Sequence, residues 1–397
     1  MNQEQKLVLN LLKEIDEVCQ EKGIPYFLSP RLTLNAYFDA GVPENPAFGL
    51  IFMKTKDMEA FRQAMSENLP PERALESMVS SPSFPGFYLR YENTATLFFH
   101  LNRGGNYLYP GIGIDICPLL APKGSRKKRR MAHLWELGWK QTCDLYQERY
   151  TFKQSLATIP VRLCGLFGRR RLGGRIYRKL LKVNASHLTK GKYYVERDKR
   201  TYYPASLFDD ARDIPLEGVL LKCPSDVTGY LTAHYGPDYA RRLATSYTPS
   251  WALMASPRVR CQDFLDKAGD MEELIWRRRD LSLKDEIGRR CRKSIAAAWN
   301  YLKFLERGIN LGARYKEKLG FLRNLKESRD YLRLESAFAL YHEMVKESAE
   351  KGIRYLPDPE LDEIYLDMLK NSGKAGFAEK IRKMETAKDV VSHFESP

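Results

Sequence analysis

One acidic residue stands inside an apolar, strand-like segment. Residues 110–119 read PGIGIDICPL, so Asp115 lies between Ile114 and Ile116. Such a run is typical of a strand covered on both faces, where an unpaired carboxylate is costly to bury. We therefore expect a cation, either an arginine or a metal ion, to contact Asp115. A functional role is favoured over a structural salt bridge, which makes Asp115 the first candidate for catalysis and for metal binding.

Four further polar residues belong to segments that should surround this strand. Glu44 and Asn45 precede a second apolar strand, and they are candidate catalytic and substrate-binding residues, with ordinary loop positions as the alternative. Arg90, within FYLRYENTATLFFHL, and Arg31 are candidate substrate-binding residues. A guanidinium matches two phosphate oxygens at once, which favours that role. A solvated strand arginine is an equally good interpretation of Arg90.

Apolar periodicity predicts the elements that position these residues. Residues 2–22 form an amphipathic helix that ends at Gly23. The other predictions for this part of the chain are a strand at 26–28, a helix at 32–38, a turn at 41–46, a strand at 48–53, a helix at 56–68, a loop at 70–85 and a hairpin at 87–101 that turns at Glu92 and Asn93.

Four blocks in this order resemble the LicD/fukutin family of nucleotidyltransferase-fold enzymes. They are LLKEIDEVCQEKGIPYFL, LIFM followed by KDMEAF, GIDICPL and PSDVTGYLTAHYGPDY. The resemblance implies an α+β fold with a nucleotidyltransferase-like mixed sheet flanked by helices. It also implies transfer of phosphocholine or a similar phospho-group from a nucleotide-linked donor to a cell-surface glycan or teichoic-acid precursor. Mg²⁺ is the implied cofactor, and Asp115 matches the third metal-binding carboxylate.

The chain departs from the family's pattern at the expected metal site. Ala47 and Gly49 stand where an aspartate pair is expected, and residues 29–31 (Ser-Pro-Arg) replace a Gly-rich loop. Neither alanine nor glycine offers a side-chain ligand, whereas Mg²⁺ prefers several oxygen ligands. Glu44 and Asn45 directly precede the lost pair and could replace it in part. The sequence therefore leaves open whether the chain is an enzyme.

Most of the positive charge lies in one internal segment. The net charge is +15, and residues 123–182 contain seventeen Lys and Arg against three acids, a difference of +14. An anionic partner is expected. Within 161–182, apolar residues four apart oppose a basic face, as in an interfacial membrane helix, although four glycines weaken the helix. The candidate membrane- or anion-binding residues are Lys127, Lys128, Arg129, Arg130, Arg169, Arg170, Arg171 and Arg175.

Later segments complete the predicted domain organisation. Residues 202–245 are expected to return to the first domain, with a strand in PLEGVLLKCP and a helix capped by Asp226. Helices are then predicted at 280–308, 309–325, 329–351, 359–371 and 374–383. The predicted domains are 1–122 with 200–260, a basic helical insert at 123–199 and an all-α region at 261–397.

Location and excluded activities follow from what the sequence lacks. Seven cysteines without C-x-x-C spacing indicate free thiols in a reducing compartment. With no leader pattern and no long apolar run, we expect a cytoplasmic protein that binds peripherally at the inner face of the membrane through the basic insert. P-loop, HExxH, GxSxG and zinc spacings are absent. Gly111 and Gly113, without a following GxxG helix, are a weak phosphate-loop signal.

Three functions remain open. The first is a LicD-like phospho-group transferase with a degenerate metal site. The second is a catalytically inactive protein of the same fold that binds a partner enzyme, a glycan or a membrane. The third is a nucleic-acid-binding protein, suggested by Tyr146, Tyr150, Phe167 and Tyr177 among the basic residues. It is the least favoured, because no known recognition motif accompanies these residues.

Overall fold

The computed structural model describes residues 1–45, 49–67, 69–81, 84, 86–100, 111–121, 126–142, 156–166, 168–184, 191–196, 200–243, 253–261, 263–264, 286–351 and 358–384. Within these ranges the chain is mixed α+β, with a small mixed sheet flanked by helices, as the sequence predicted at this coarse level. The described residues fall into two compact units. One ends at Pro257 and the other begins at Arg258.

The first unit contains all the described strands and seven α-helices of the described ranges. Its helices are α1 (Gln3–Lys22), α2 (Pro30–Tyr37), α3 (Met58–Glu67), α4 (Arg126–Thr142), α5 (Ile159–Leu166), α6 (Arg169–Asn184) and, later in the chain, α7 (Val227–Tyr235), of which α4 to α6 belong to the predicted insert. Its strands are β1 (Tyr26–Leu28), β2 (Leu50–Lys54), β3 (Arg73–Glu76), β4 (Leu89–Asn93), β5 (Leu97–His100), β6 (Ile112–Leu119), β7 (Lys192–Glu196), β8 (Arg200–Pro204), β9 (Ala211–Leu216), β10 (Val219–Pro224) and β11 (Leu253–Ser256).

A five-stranded sheet with the order β1-β2-β6-β4-β3 forms the centre of this unit. β2 and β6 are parallel, with Leu50 opposite Asp115, and the other neighbouring pairs are antiparallel. Helix α1 starts at an Asn2–Gln5 capping box and ends at Gly23, whose φ of 62° suits glycine. Glu14 on α1 accepts two hydrogen bonds from Arg73, at 2.9 and 2.8 Å, which fixes the helix to the edge strand β3.

The two faces of the sheet are covered differently. On one face Leu89, Tyr91, Ile114 and Ile116 join the main apolar core together with α1 and α3. On the other face Phe27, Phe52, Cys117 and Leu119 pack against an aromatic cluster. The aromatic members of that cluster are Tyr193, Tyr203, Phe208 and Tyr230. Asp115 is two residues before Cys117 and therefore lies on this second face.

Two strand predictions were wrong. The predicted hairpin at 87–101 does not exist, because β4 pairs with β3 and β6 whereas β5 pairs with β11. The predicted loop at 70–85 contains β3, which is the edge strand of the central sheet. Alternation identified β4 and β5 as strands, but β4 already has β3 and β6 on its two sides and cannot also pair with β5.

The helices of the basic insert pack onto the main core. Trp139 on α4 is fully buried and donates from its indole nitrogen to the Phe84 carbonyl at 2.7 Å. Ile176, Tyr177 and Leu180 on α6 belong to the same core. The insert is therefore tied to the sheet-containing unit by buried side chains.

The second unit is helical in its described residues. Its helices are α8 (Glu286–Glu317), α9 (Leu319–Glu327), α10 (Tyr331–Ala337), α11 (Ala339–Lys351), α12 (Pro359–Asn371) and α13 (Ala375–Arg382). The predicted helix end at Gly308 was wrong, because α8 continues through it to Glu317. The surrounding residues supply a continuous helical pattern, which outweighs the roughly 1 kcal/mol cost of one interior glycine.

Candidate functional site

Asp115 is buried at the centre of the sheet, beside the entry to β2. Its backbone N–H donates to the Gly49 carbonyl at 2.9 Å, and the residue is 2% exposed. Parallel pairing of β2 and β6 thus places Asp115 next to the first residues of β2. The family resemblance implies metal-binding residues in both of these segments. Residues 46–48, including Ala47, lie outside the described residues.

Arg90 occupies the position of the cation expected at Asp115. The two residues are direct cross-strand partners, and Arg90 Nη1 donates to Asp115 Oδ1 at 2.6 Å. The same guanidinium donates to Glu92 Oε2 at 3.2 Å and to the Gly111 carbonyl at 3.0 Å. It also lies 4.8 Å from the centre of the Phe98 ring. Arg90 is 3% exposed, so it is not the solvated strand arginine of the alternative interpretation.

Glu92 is a third member of this group that the sequence did not single out. It is fully buried on the same sheet face as Arg90, two residues along β4. Burial raises the pKa of Glu92 to about 8, and the Arg90 charge opposes that rise only in part. Glu76, opposite Arg90 on β3, also has a pKa raised by burial, and its charge adds to the rise at Glu92. One guanidinium therefore faces two carboxyl groups, and the group is neutral overall when Glu92 holds a proton.

Gly111 and Gly113 serve strand packing. A Cβ atom on Gly113 would lie 2.6 Å from the Tyr91 carbonyl oxygen, and one on Gly111 would overlap the Asn93 carbonyl. These glycines allow the close approach of β6 to β4 that brings Asp115 to Arg90. The phosphate-loop interpretation of this pair has no support in the arrangement.

The other predicted site residues have varied surroundings. Glu44 is exposed, and Asn45 is buried in the turn after α2. Arg31 is partly buried in the first turn of α2, and its Nη1 donates to the Arg242 carbonyl at 2.9 Å. Within the described ranges, no three acidic, histidine or cysteine side chains lie close enough together to hold a metal ion. The described residues therefore do not fit the Mg²⁺ site that the family resemblance implies.

The candidate anion-binding residues divide into two groups. Arg130, Arg171 and Arg175 are exposed on α4 and α6. The side chains of Lys127, Lys128, Arg129, Arg169 and Arg170 lie outside the described part of the structure.

No protein-family model, no curated protein and no solved structure matches this chain. Nor does any helix of the described residues combine the length and apolarity needed to cross a bilayer.

Proposed function

We propose that this chain is a LicD-like protein of cell-surface glycan or teichoic-acid assembly that keeps a nucleotidyltransferase-like core but lacks the metal-dependent transfer step. The observation that carries the proposal is the buried ion pair between Arg90 and Asp115. In the sequence resemblance, Asp115 is the surviving metal-binding carboxylate. In the structure its Oδ1 accepts a charge-assisted hydrogen bond from an arginine.

Exchange of this arginine for a metal ion would be unfavourable. Arg90 is enclosed by Asp115, Glu92 and the Gly111 carbonyl, so removing its carboxylate partner would leave a buried charge unpaired. A divalent cation also needs several oxygen ligands, and the positions of the expected aspartate pair hold Ala47 and Gly49. A binding role is therefore better supported than metal-assisted catalysis.

The ligand of such a binding protein would be anionic. A net charge of +15 favours phosphorylated partners over neutral ones. Within the class that the resemblance implies, phosphorylated glycan or teichoic-acid precursors have this property. The same charge also suits nucleic acid, for which the described residues offer no recognition motif.

Phosphorus NMR of CDP-choline incubated with the protein, Mg²⁺ and a teichoic-acid precursor as acceptor tests the proposal. We expect no release of CMP, because the described residues offer no cluster that could hold the metal ion on which this transfer depends. Release of CMP that disappears in Asp115→Asn would overturn the proposal.

One observation favours an active transferase as the second candidate. The Asp115 N–H bond to Gly49 brings the entry of β2 to Asp115, as the resemblance to a transferase requires. In that case an acceptor hydroxyl would attack the donor phosphorus, CMP would leave, and the hydroxyl proton would pass to a base. Glu44 is the exposed candidate for that base. Loss of turnover in Glu44→Gln, with donor binding retained, would support this candidate, whereas unchanged turnover would remove Glu44 from it.

A further inference from the structure

Helix α5 and the turn before it carry an exposed apolar stripe. Leu156, Ile159 and Leu163 are 59%, 40% and 52% exposed. Their spacing of three and four residues places them on one side of a helix. Thr158, on the opposite side, is fully buried. Three large aliphatic side chains thus point away from the core at adjacent positions, which is unusual for a surface that contacts only water.

Helix α6 carries an exposed basic stripe. Arg171, Arg175, Arg178 and Lys182 follow one another at intervals of four, three and four residues, and all four are exposed. At about 1.5 Å per residue the stripe is about 16 Å long. The opposite side of α6 is buried in the main core through Ile176, Tyr177 and Leu180. The orientation of α6 is therefore fixed by packing, and the basic stripe faces outward.

The two stripes lie on neighbouring helices, and we call them together the α5–α6 surface. Helices α5 and α6 pack against each other, and only residues 167 and 168 separate them in the chain. From Ile159 to Asn184 the sequence has eight Lys and Arg and no acid. Lys179 is not part of the stripe, since its ammonium lies 3.9 Å from the centre of the Trp135 ring on α4.

We propose that the α5–α6 surface binds the surface of an anionic phospholipid membrane. The basic stripe would contact lipid phosphates, and the three aliphatic side chains would enter the boundary between headgroups and acyl chains. The aliphatic stripe favours a membrane over nucleic acid. Single-stranded nucleic acid is bound by stacking on aromatic rings, and a polyanion gains little from exposed leucine and isoleucine. This inference concerns attachment and does not depend on whether the Asp115 site is catalytic.

Sedimentation of the full chain with lipid vesicles tests the inference. The wild-type protein should bind vesicles of mixed phosphatidylglycerol and phosphatidylcholine more tightly than it binds vesicles of pure phosphatidylcholine. Its affinity for the mixed vesicles should fall as the salt concentration rises. The triple variant Arg171→Glu, Arg175→Glu, Arg178→Glu should lose about 100-fold in affinity, since each basic residue contributes about fivefold near an anionic surface.

A matched control carries the same change in net charge elsewhere. Lys303→Glu, Arg314→Glu and Lys380→Glu alter exposed residues of the second unit and should bind within about twofold of wild type if the effect is local. The variant Leu156→Ser, Ile159→Ser, Leu163→Ser should weaken binding about tenfold at every salt concentration while keeping the salt dependence. Circular dichroism checks that each variant is folded.

Three results would overturn the inference. The first is that the charge-reversal variant and its control lose vesicle binding equally. The second is that the serine variant binds vesicles as the wild type does. The third is that the protein binds an oligonucleotide more tightly than anionic vesicles at the same salt concentration.

Discussion

Arg90 is shared between two buried carboxyl groups, and this sharing determines what Asp115 can bind. The guanidinium donates to Asp115, to Glu92 and to a backbone carbonyl, so most of its donors are engaged inside the sheet. Burial of three ionisable side chains is tolerated because their charges offset one another. While Glu92 holds its proton, a metal ion at Asp115 would add positive charge to a group of three side chains that is neutral overall.

Replacing Asp115 should reveal how much the ion pair stabilises the fold. Asp115→Asn leaves the buried Arg90 charge without its closest carboxylate, and we expect the free energy of unfolding to fall by about 3 kcal/mol. Urea denaturation followed by circular dichroism measures this change. Asp238→Asn is the control, since its 3.8 Å pair with Arg241 is exposed and should contribute about 0.5 kcal/mol or less. Equal effects of the two substitutions would show that Asp115 is not held in a buried ion pair.

Glu92 should make stability fall as the pH rises. Burial raises its pKa in the folded protein to about 8, against about 4.3 in an unfolded chain. Between these values the folded protein keeps a proton that the unfolded chain releases, so the penalty for folding grows with pH, by at most about 1.4 kcal/mol per pH unit. Glu92→Gln removes this penalty.

The melting temperature of Glu92→Gln relative to wild type should therefore increase from about pH 5 to about pH 8. The exposed Glu17 supplies the control, because Glu17→Gln should show no such trend. A constant difference between Glu92→Gln and wild type across this range would contradict the raised pKa.

Residue patterns anticipated part of this group. An acid between two isoleucines required a cation, and Arg90 proved to be that cation. Glu92 was missed because it was assigned to a hairpin turn, where a glutamate is exposed. The alternation Arg90-x-Glu92 places both residues on one strand face, which was the available signal. Recognising it required knowing that β4 continues to Asn93.

Among the elements, the strands were easier to recognise than their partners. The residues of β2 and β6 are mostly apolar and those of β4 alternate, which predicts strands, but pairing depends on contacts between distant segments. β3 was hidden in a segment rich in proline, serine and acids, and contacts with Glu14 on α1 hold it at the sheet edge. Capping signals, by contrast, predicted the C-terminal end of α1 at Gly23 and the start of α7 at Asp226.

Two adjacent glycines in α6 should respond in opposite ways to alanine. A Cβ at Gly173 would lie 2.5 Å from the Met78 carbonyl oxygen and 2.7 Å from the Trp139 ring, so Gly173→Ala should destabilise the protein by about 1–3 kcal/mol. Gly174 has nothing within 4 Å of the same position, and Gly174→Ala should stabilise by up to about 1 kcal/mol. Thermal unfolding of both variants and the wild type measures these two changes in stability. Stabilisation by Gly173→Ala would contradict the packing of α6 against α4 and the segment after β3.

At the scale of the whole molecule, most of the positive charge lies in the basic insert. The sequence alone located the basic insert, because a run of Lys and Arg is visible without structure. It also predicted an apolar side of this segment opposite a basic side. The predicted partner of the apolar side, a membrane, was wrong, because Ile176, Tyr177 and Leu180 are buried in the core. The sequence could not reveal the exposed aliphatic stripe of α5, since apolar residues in a sequence are normally assigned to the interior.

The central claim is that Asp115 is the partner of an arginine and not a ligand of a metal ion. Titration of the full chain with Mn²⁺, followed by electron paramagnetic resonance in the presence of CDP-choline, tests it most directly. We predict no protein-bound Mn²⁺ that depends on Asp115, so wild type and Asp115→Asn should give the same titration. Saturable Mn²⁺ binding by the wild-type protein that is lost in Asp115→Asn would contradict the claim and favour an active transferase.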